Sequence, residues 1–415
     1  MNNLVNYKKI KLSNGLVVNY SKMSNATKTF AAVVVKYGSI DTNVSVDGVT
    51  NQFNHGVAHF LEHKMFDKED GDVFQKFVEL GTSEVNAYTS FDRTVYHISF
   101  IQDEEKNLQL LVDFVFTPYF TDEKTQKEKG IIEQEVDMYN DQSSWNIYLA
   151  SLRNAYEKSN IVNNILGEKS DIQKITTEEL QLVHELFYNT QNSELVVVGK
   201  MEEDELVNHL EKIIKNVKFN TPRENVQPIY EAEPVKVKIE QAELIQDISE
   251  SKIAQIIKLQ PQSTITQSLI QYWALNIALK VILGSSSKVR SNLIETNIIS
   301  EDFSFYIDTS DNYAYILFEG TSINPQKVDI NQIIQDNMQV IKQNYSHYQK
   351  VEIGKYIMGL DKRRVVANEL IDSIIGEFDP KLAYTTLENI SLQEIEQVLN
   401  DTDFNNMSVL HVKGK

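Results

Sequence analysis

The chain has 415 residues and carries 59 Asp and Glu against 40 Lys and Arg, a formal net charge of −19. With only 15 Gly and 7 Pro but 19 Tyr and 18 Phe, it is neither collagen-like nor disordered, and its length suits two or more domains. The absence of cysteine excludes disulfides, thiolate metal sites and cysteine nucleophiles, while the acidic balance disfavours capture of nucleic acid or anionic membrane.

The opening, MNNLVNYKKIKLSNGL, has neither an apolar stretch of signal-peptide length nor Arg/Ser-rich transit character. No run approaches the roughly 18 apolar residues that cross a bilayer. A soluble cytoplasmic protein is the expectation. Asn14-Gly15 marks a hairpin turn between IKL and LVVNY. Residues 29–36, TFAAVVVK, read as a buried strand. Helical patterns follow near 56–66 and 72–80, the latter ending at Gly81. Residues 84–100 alternate as two strands joined near Phe91-Asp92. One long helical stretch is expected from about 122 to 157, with Ile131, Ile132, Val136 and Tyr139 near one face. A helix near 177–187, the strand SELVVVGK and a helix near 202–216 complete the first half.

Three prolines (Pro222, Pro228, Pro234) within 218–237 suggest an interdomain linker, separating units at 1–217 and 238–415. A faint internal repeat agrees with that division. ITTEEL at 175–180 matches ISLQEI at 390–395, and NSELVVVGK at 192–200 matches MSVLHVKGK at 407–415, both at an offset of 215. The expected fold is α+β: two tandem, similar units, each a strand layer backed by helices.

Chemistry concentrates in HGVAHFLEHKMF at 55–66, where His59, Glu62 and His63 form H-x-x-E-H. On a helix, positions i and i+4 share a face, so both imidazoles reach one metal ion and Glu62 projects beside them. Neutral imidazoles are good zinc ligands, and a carboxylate next to a zinc-activated water can accept its proton. A catalytic zinc needs a third protein ligand. Glu128 and Glu135 lie two helical turns apart on one face of the following long helix, with Glu133 off it. Glu135, among Ile131, Ile132 and Val136, is the better ligand. Glu128 then suits a supporting place, fixing a histidine tautomer or assisting proton transfer.

These residues resemble those of the pitrilysin-type, or inverzincin, metallopeptidase family, which includes the mitochondrial processing peptidases and their short bacterial relatives. G-x-x-H-x-L-E-H-x-x-F is present as Gly56, His59, Leu61, Glu62, His63 and Phe66. The family follows this helix with a glutamate ligand, and Glu135 stands 72 residues after His63. Its N-A-x-T strand is matched by Asn86-Ala87-Tyr88-Thr89. The likeness is strong over 1–220 and weak over 240–415. It implies a zinc endopeptidase hydrolysing short or unfolded peptides within a chamber formed by two such chains. Asn86 and Ala87 would bind substrate on an edge strand.

The family's active single-chain members carry an Arg and a Tyr in one segment of the second half. Aligning that segment here puts Ile294 and Glu301 at those positions, and the nearby Arg290 and Tyr306 are 16 residues apart. The resemblance therefore implies a heterodimer, in which a zinc-lacking homologous partner supplies Arg and Tyr. Dedicated maturation of a precursor peptide and general peptide degradation both fit. The alternative is a non-catalytic zinc-bearing subunit acting in assembly or peptide binding, against which the complete zinc-plus-base set argues.

Overall fold

Asn14 and Gly15 do turn the chain: Gly15 adopts φ 92° and its N–H donates to the Leu12 carbonyl, pairing Tyr7–Lys11 with Val17–Lys22. The computed structural model describes residues 6–322 and 324–414. It divides into two compact units.

The first unit is built on a six-stranded sheet, in the order Tyr7–Lys11, Val17–Lys22, Ser193–Gly199, Thr29–Val35, Thr94–Phe100 and Glu84–Thr89. Only the Val17–Lys22/Ser193–Gly199 pair is parallel. Thr29–Val35 is buried at every position because both sheet faces are covered. Phe30, Ala32 and Val34 pack against Val366, Leu370 and Ile374 of the helix Arg363–Ile375. The helix Glu104–Phe116 packs against Thr29–Val35 and Thr94–Phe100. Glu84–Thr89 is left as an edge, backed by the helix Val57–Phe66.

The second unit repeats this plan. Its sheet runs Gln241–Gln246, Met407–Gly414, Lys252–Leu259, Ala314–Thr321, Ser304–Thr309. The first pair is parallel and the rest antiparallel, as in the five corresponding strands of the first sheet. The segments matched at an offset of 215 occupy equivalent places. Thr176 and Ser391 both cap helices, at Thr177–Phe187 and Leu392–Asp401, by accepting from the N–H of Glu179 and Glu394. The α+β fold of two similar units therefore stands.

Three expectations change. The helical stretch 122–157 is two helices, Asp122–Asn140 and Ser143–Ala155. The Asn140-Asp141-Gln142 break ends the first, and the Asn146 side chain donates to the Asn140 carbonyl across it. The units are also not contiguous in sequence. Segment 139–162 belongs to the second unit and 359–380 to the first. Ile147 and Leu152 are buried on Ser143–Ala155, which packs on the strands Lys252–Leu259 and Met407–Gly414, whereas Arg363–Ile375 covers the first sheet. Nor is 218–237 a plain linker: Val226–Pro228 pairs antiparallel with Asn43–Val46. From Glu231 to Met358 the chain belongs to the second unit.

Candidate metal centre

The helix Val57–Phe66 starts at Gly56, which takes φ 85°. A Cβ on Gly56 would stand 2.3 Å from the Leu166 carbonyl oxygen, so only glycine allows this approach. Gly167 is its counterpart, with φ 77° and its own missing Cβ facing the His55 carbonyl. The helix is buried nearly all round: Val57, Ala58, Phe60, Leu61 and Met65 enter the core, while His59 and Glu62 are buried polar groups. The helix is thus positioned by packing on all sides, which restricts the rotamers of the residues that carry chemistry.

His59 Nε2 lies 3.7 Å and His63 Nε2 3.3 Å from Glu135 Oε2. The donor atoms of these three residues lie within 4.8 Å of one another, the one such set of His, Asp or Glu groups among the described residues. Glu135 is carried by Asp122–Asn140, whose buried residues include Ile132 and Val136. Ile131, expected on that face, is instead 46% exposed, because it lies one residue round the helix from the Glu128–Ile132–Glu135 line. Glu128 Oε1 lies 3.0 Å from His63 Nδ1. Glu133 points elsewhere and accepts from Gln173 Nε2.

The electrostatics suit a cation. Burial lowers the His59 pKa to about 3, reinforced by His63 and opposed by Glu135, so this imidazole keeps a free lone pair. For His63, burial opposes charge, but Glu128 and Glu135 outweigh it and raise the pKa to about 10. Hydrogen bonding to His63 holds Glu135 low against its burial. Two ring nitrogens and a carboxylate oxygen thus face one point, yet the 3.7 Å from His59 to Glu135 is too long for a hydrogen bond. In this state His63 is charged and its Nε2–H faces Glu135; a divalent cation would displace that proton, and an N, N, O set fits zinc with an open position.

Glu62 is buried, which raises its pKa, and Thr89 Oγ1 opposes the rise by donating to Glu62 Oε2 at 2.7 Å. Thr89 belongs to Glu84–Thr89, the edge strand that also carries Asn86 and Ala87. Along it Val85, Ala87 and Thr89 are half-buried and Glu84, Asn86 and Tyr88 exposed. Asn86 Oδ1 accepts from the Ala87 N–H at 2.9 Å, so this N–H is turned outward from the sheet.

His59, Glu62, His63, Glu128 and Glu135 are thus brought together, and Asn86 and Ala87 lie on the edge strand that carries Thr89. Sequence reasoning missed the Thr89 hydroxyl, although the strand motif contains it. It also missed the buried Tyr96–Tyr188 hydroxyl pair at 2.8 Å, which lies within electrostatic reach of Glu62, and Gly167. Tyr188 and Gly167 stand in no local pattern that would have revealed them.

Comparison with known proteins agrees. A family profile described as insulinase (peptidase family M16) matches residues 17–169, and one described as the peptidase M16 inactive domain matches 174–357. The chain is 31% identical over 399 residues to the uncharacterized zinc protease YmfH of Bacillus subtilis, covering 94% of this chain and 92% of that one. The chain belongs to the M16 peptidase family. It is also 27% identical over 215 residues to the mitochondrial-processing peptidase subunit beta of Saccharomyces cerevisiae, spanning 44% of that protein. An M16-like peptidase from Alicyclobacillus acidocaldarius shares its fold with a TM-score of 0.92 at 26% identity, covering 99% of both chains. As an M16 member this chain is a zinc-dependent peptidase. The inactive-type profile falls on the half where no His/Glu metal set occurs among the described residues. No helix among them is long and apolar enough to cross a membrane.

Proposed function

We propose that this chain is the zinc-bearing subunit of an endopeptidase acting on short or unfolded peptides. His59, His63 and Glu135 would hold the metal, Glu62 would be the general base, and Glu128 would position His63. The observation that carries this reading is the convergence of the three donor atoms beside a buried Glu62.

Zinc, when bound, supplies a Lewis acid for the scissile carbonyl and for water. The chain's own residues do the rest. Burial moves Glu62 towards a useful base strength, and the Thr89 hydrogen bond fixes Oε2, leaving Oε1 to take the proton of the attacking water. Glu62 then returns that proton to the leaving amine. Glu128 would keep the proton on His63 Nδ1, so that Nε2, once its own proton is displaced, is the ligand nitrogen.

Substrate would add as a further strand beside Glu84–Thr89. The Ala87 N–H already points outward, and Asn86 Oδ1 caps it until a substrate carbonyl replaces it. Such pairing requires an extended backbone, so folded domains would be excluded.

The missing Arg/Tyr pair supports a second, complementary chain that closes the chamber. Ile294 lies on the helix Lys288–Glu295 and Glu301 in the turn after it. Arg290 is no substitute: its guanidinium donates to the carbonyls of Leu283, Phe303 and Glu301. With these donors spent on backbone, oxyanion stabilisation would come from a partner. Maturation of a precursor peptide is the specialised form of this activity. The same missing pair also favours a second reading, a zinc-bearing subunit that binds peptide without turnover.

The deciding experiment measures peptide hydrolysis and zinc content with and without a zinc-lacking homologous chain. Full turnover by this chain alone would overturn the complementation. Zinc retention without turnover in any mixture would favour the non-catalytic reading.

A further inference from the structure

A cavity of about 470 Å³ opens within the second unit, and the metal centre's chemistry does not involve it. One wall is a face of the helix Leu392–Asp401, where Glu394, Gln397, Val398 and Asp401 follow at spacings of three, one and three residues. The facing wall is the helix Ile265–Leu283, through Gln267, Ile270 and Gln271. Lys258 and Leu259 line it from the strand Lys252–Leu259.

The charges on this lining do not cancel. Lys258 is the buried cation, but it is spent on Glu233 and on the Ala155 and Lys236 carbonyls. Asp403 is spent on Lys236. Glu394 closes its capping box through Oε2 alone, accepting from Ser391 N and Oγ. The Asp401 side chain makes no hydrogen bond or ion pair among the described residues. Two carboxylates thus remain on one helix face, seven residues or roughly 10 Å apart. Between the walls, the Gln271 side chain is 8% exposed, and its Oε1 is buried without a hydrogen-bond partner. An amide left so is costly to bury unless something donates to it.

The first unit differs at the equivalent carboxylate. There Glu179, at the place equivalent to Glu394, takes two hydrogen bonds from Asn54, one from its N–H and one from its side chain. Among the described residues of the second unit, only Ser391 of its own capping box donates to Glu394.

We propose that this cavity binds a primary alkylammonium group, the ammonium meeting Asp401 and the Gln271 carbonyl while its carbon chain lies on Leu259, Ile270 and Val398, with Glu394 adding negative charge at the far end of the same wall. The chemistry is shared by a free aliphatic diamine and by a lysine side chain of a peptide.

The test is calorimetric titration of the full chain with cadaverine, Nα-acetyl-lysine amide, glutarate and pentanol. Hydrogen-exchange protection is then read over 258–271 and 394–406. Both amines should saturate at one site and protect those segments, while glutarate and pentanol should not. Tighter binding of cadaverine would assign the site to free amines; tighter binding of the lysine derivative would assign it to peptide side chains. Asp401→Asn and Gln271→Leu should each weaken amine binding about tenfold with unchanged circular dichroism. Absence of saturable amine binding, equal binding of glutarate, or undiminished binding in both variants would overturn the proposal. A melted Gln271→Leu variant leaves the Asp401→Asn arm decisive, because Asp401 is on the surface of its helix.

Discussion

Glu128 Oε1 lies 3.0 Å from His63 Nδ1, while Nε2 of the same ring lies 3.3 Å from Glu135 Oε2. The two carboxylates seven residues apart on one helix therefore address opposite nitrogens of one imidazole. One orients the ring and the other shares its open side.

Replacing Glu128 by Ala should weaken zinc binding by about 10- to 100-fold while leaving the fold intact, as expected for loss of a carboxylate behind a ligating histidine. Competition against a chromophoric chelator measures this. An unchanged affinity would make Glu128 a bystander.

Thr89→Val removes the hydrogen bond that holds the Glu62 pKa down against burial. The base must be ionised to accept a proton, so the acid limb of kcat/KM should move to higher pH. Zinc content should not change. The profile is read in whichever assembly of the wild-type chain turns over peptide, and an unmoved acid limb would refute the role given to Thr89.

Gly56→Ala combines a left-handed backbone with a Cβ 2.3 Å from the Leu166 carbonyl oxygen. The expected cost is roughly 2–5 kcal/mol, seen as a clear fall in thermal midpoint. Gly48→Ala shares the positive φ but meets no atom within 4 Å, so it should cost less. Equal effects would mean that crowding at Leu166 contributes nothing.

Asp41 offers a pH test of stability away from the metal. Burial raises its pKa to about 7, against hydrogen bonds from Tyr230 and Gly38 that lower it. The folded chain therefore binds a proton there that the unfolded chain releases above about 3.8. From pH 4 to 7 this group should reduce stability by up to about 1.4 kcal/mol per pH unit, with no further change above the folded-state value. Asp41→Asn should be less sensitive across that window and more stable than wild type at pH 8. Chemical denaturation at a series of pH values checks this, and parallel curves for both proteins would exclude it.

Much of the site was legible because its determinants are local. The i, i+4 spacing of His59 and His63 and the i, i+7 spacing of Glu128 and Glu135 place side chains on common helix faces regardless of what surrounds them. Hairpin chemistry at Asn14-Gly15 and the helix caps at Thr176 and Ser391 are likewise settled within a few residues. Ile131 shows how narrow that reading is, since one residue of helical rotation moves a side chain from core to solvent.

The sequence by itself determined the two short helical motifs, the repeated ending of each half, and the donor types that would meet a metal. Only the tertiary structure decided that Ser143–Ala155 covers the second sheet while Arg363–Ile375 covers the first. An amphipathic pattern fixes which face of a helix is buried but carries no address for the sheet that buries it. The same holds for Thr89 on Glu62 and Leu166 against Gly56. Those pairings join segments distant in sequence, and their specificity arises from packing complementarity that exists only once the chain has folded.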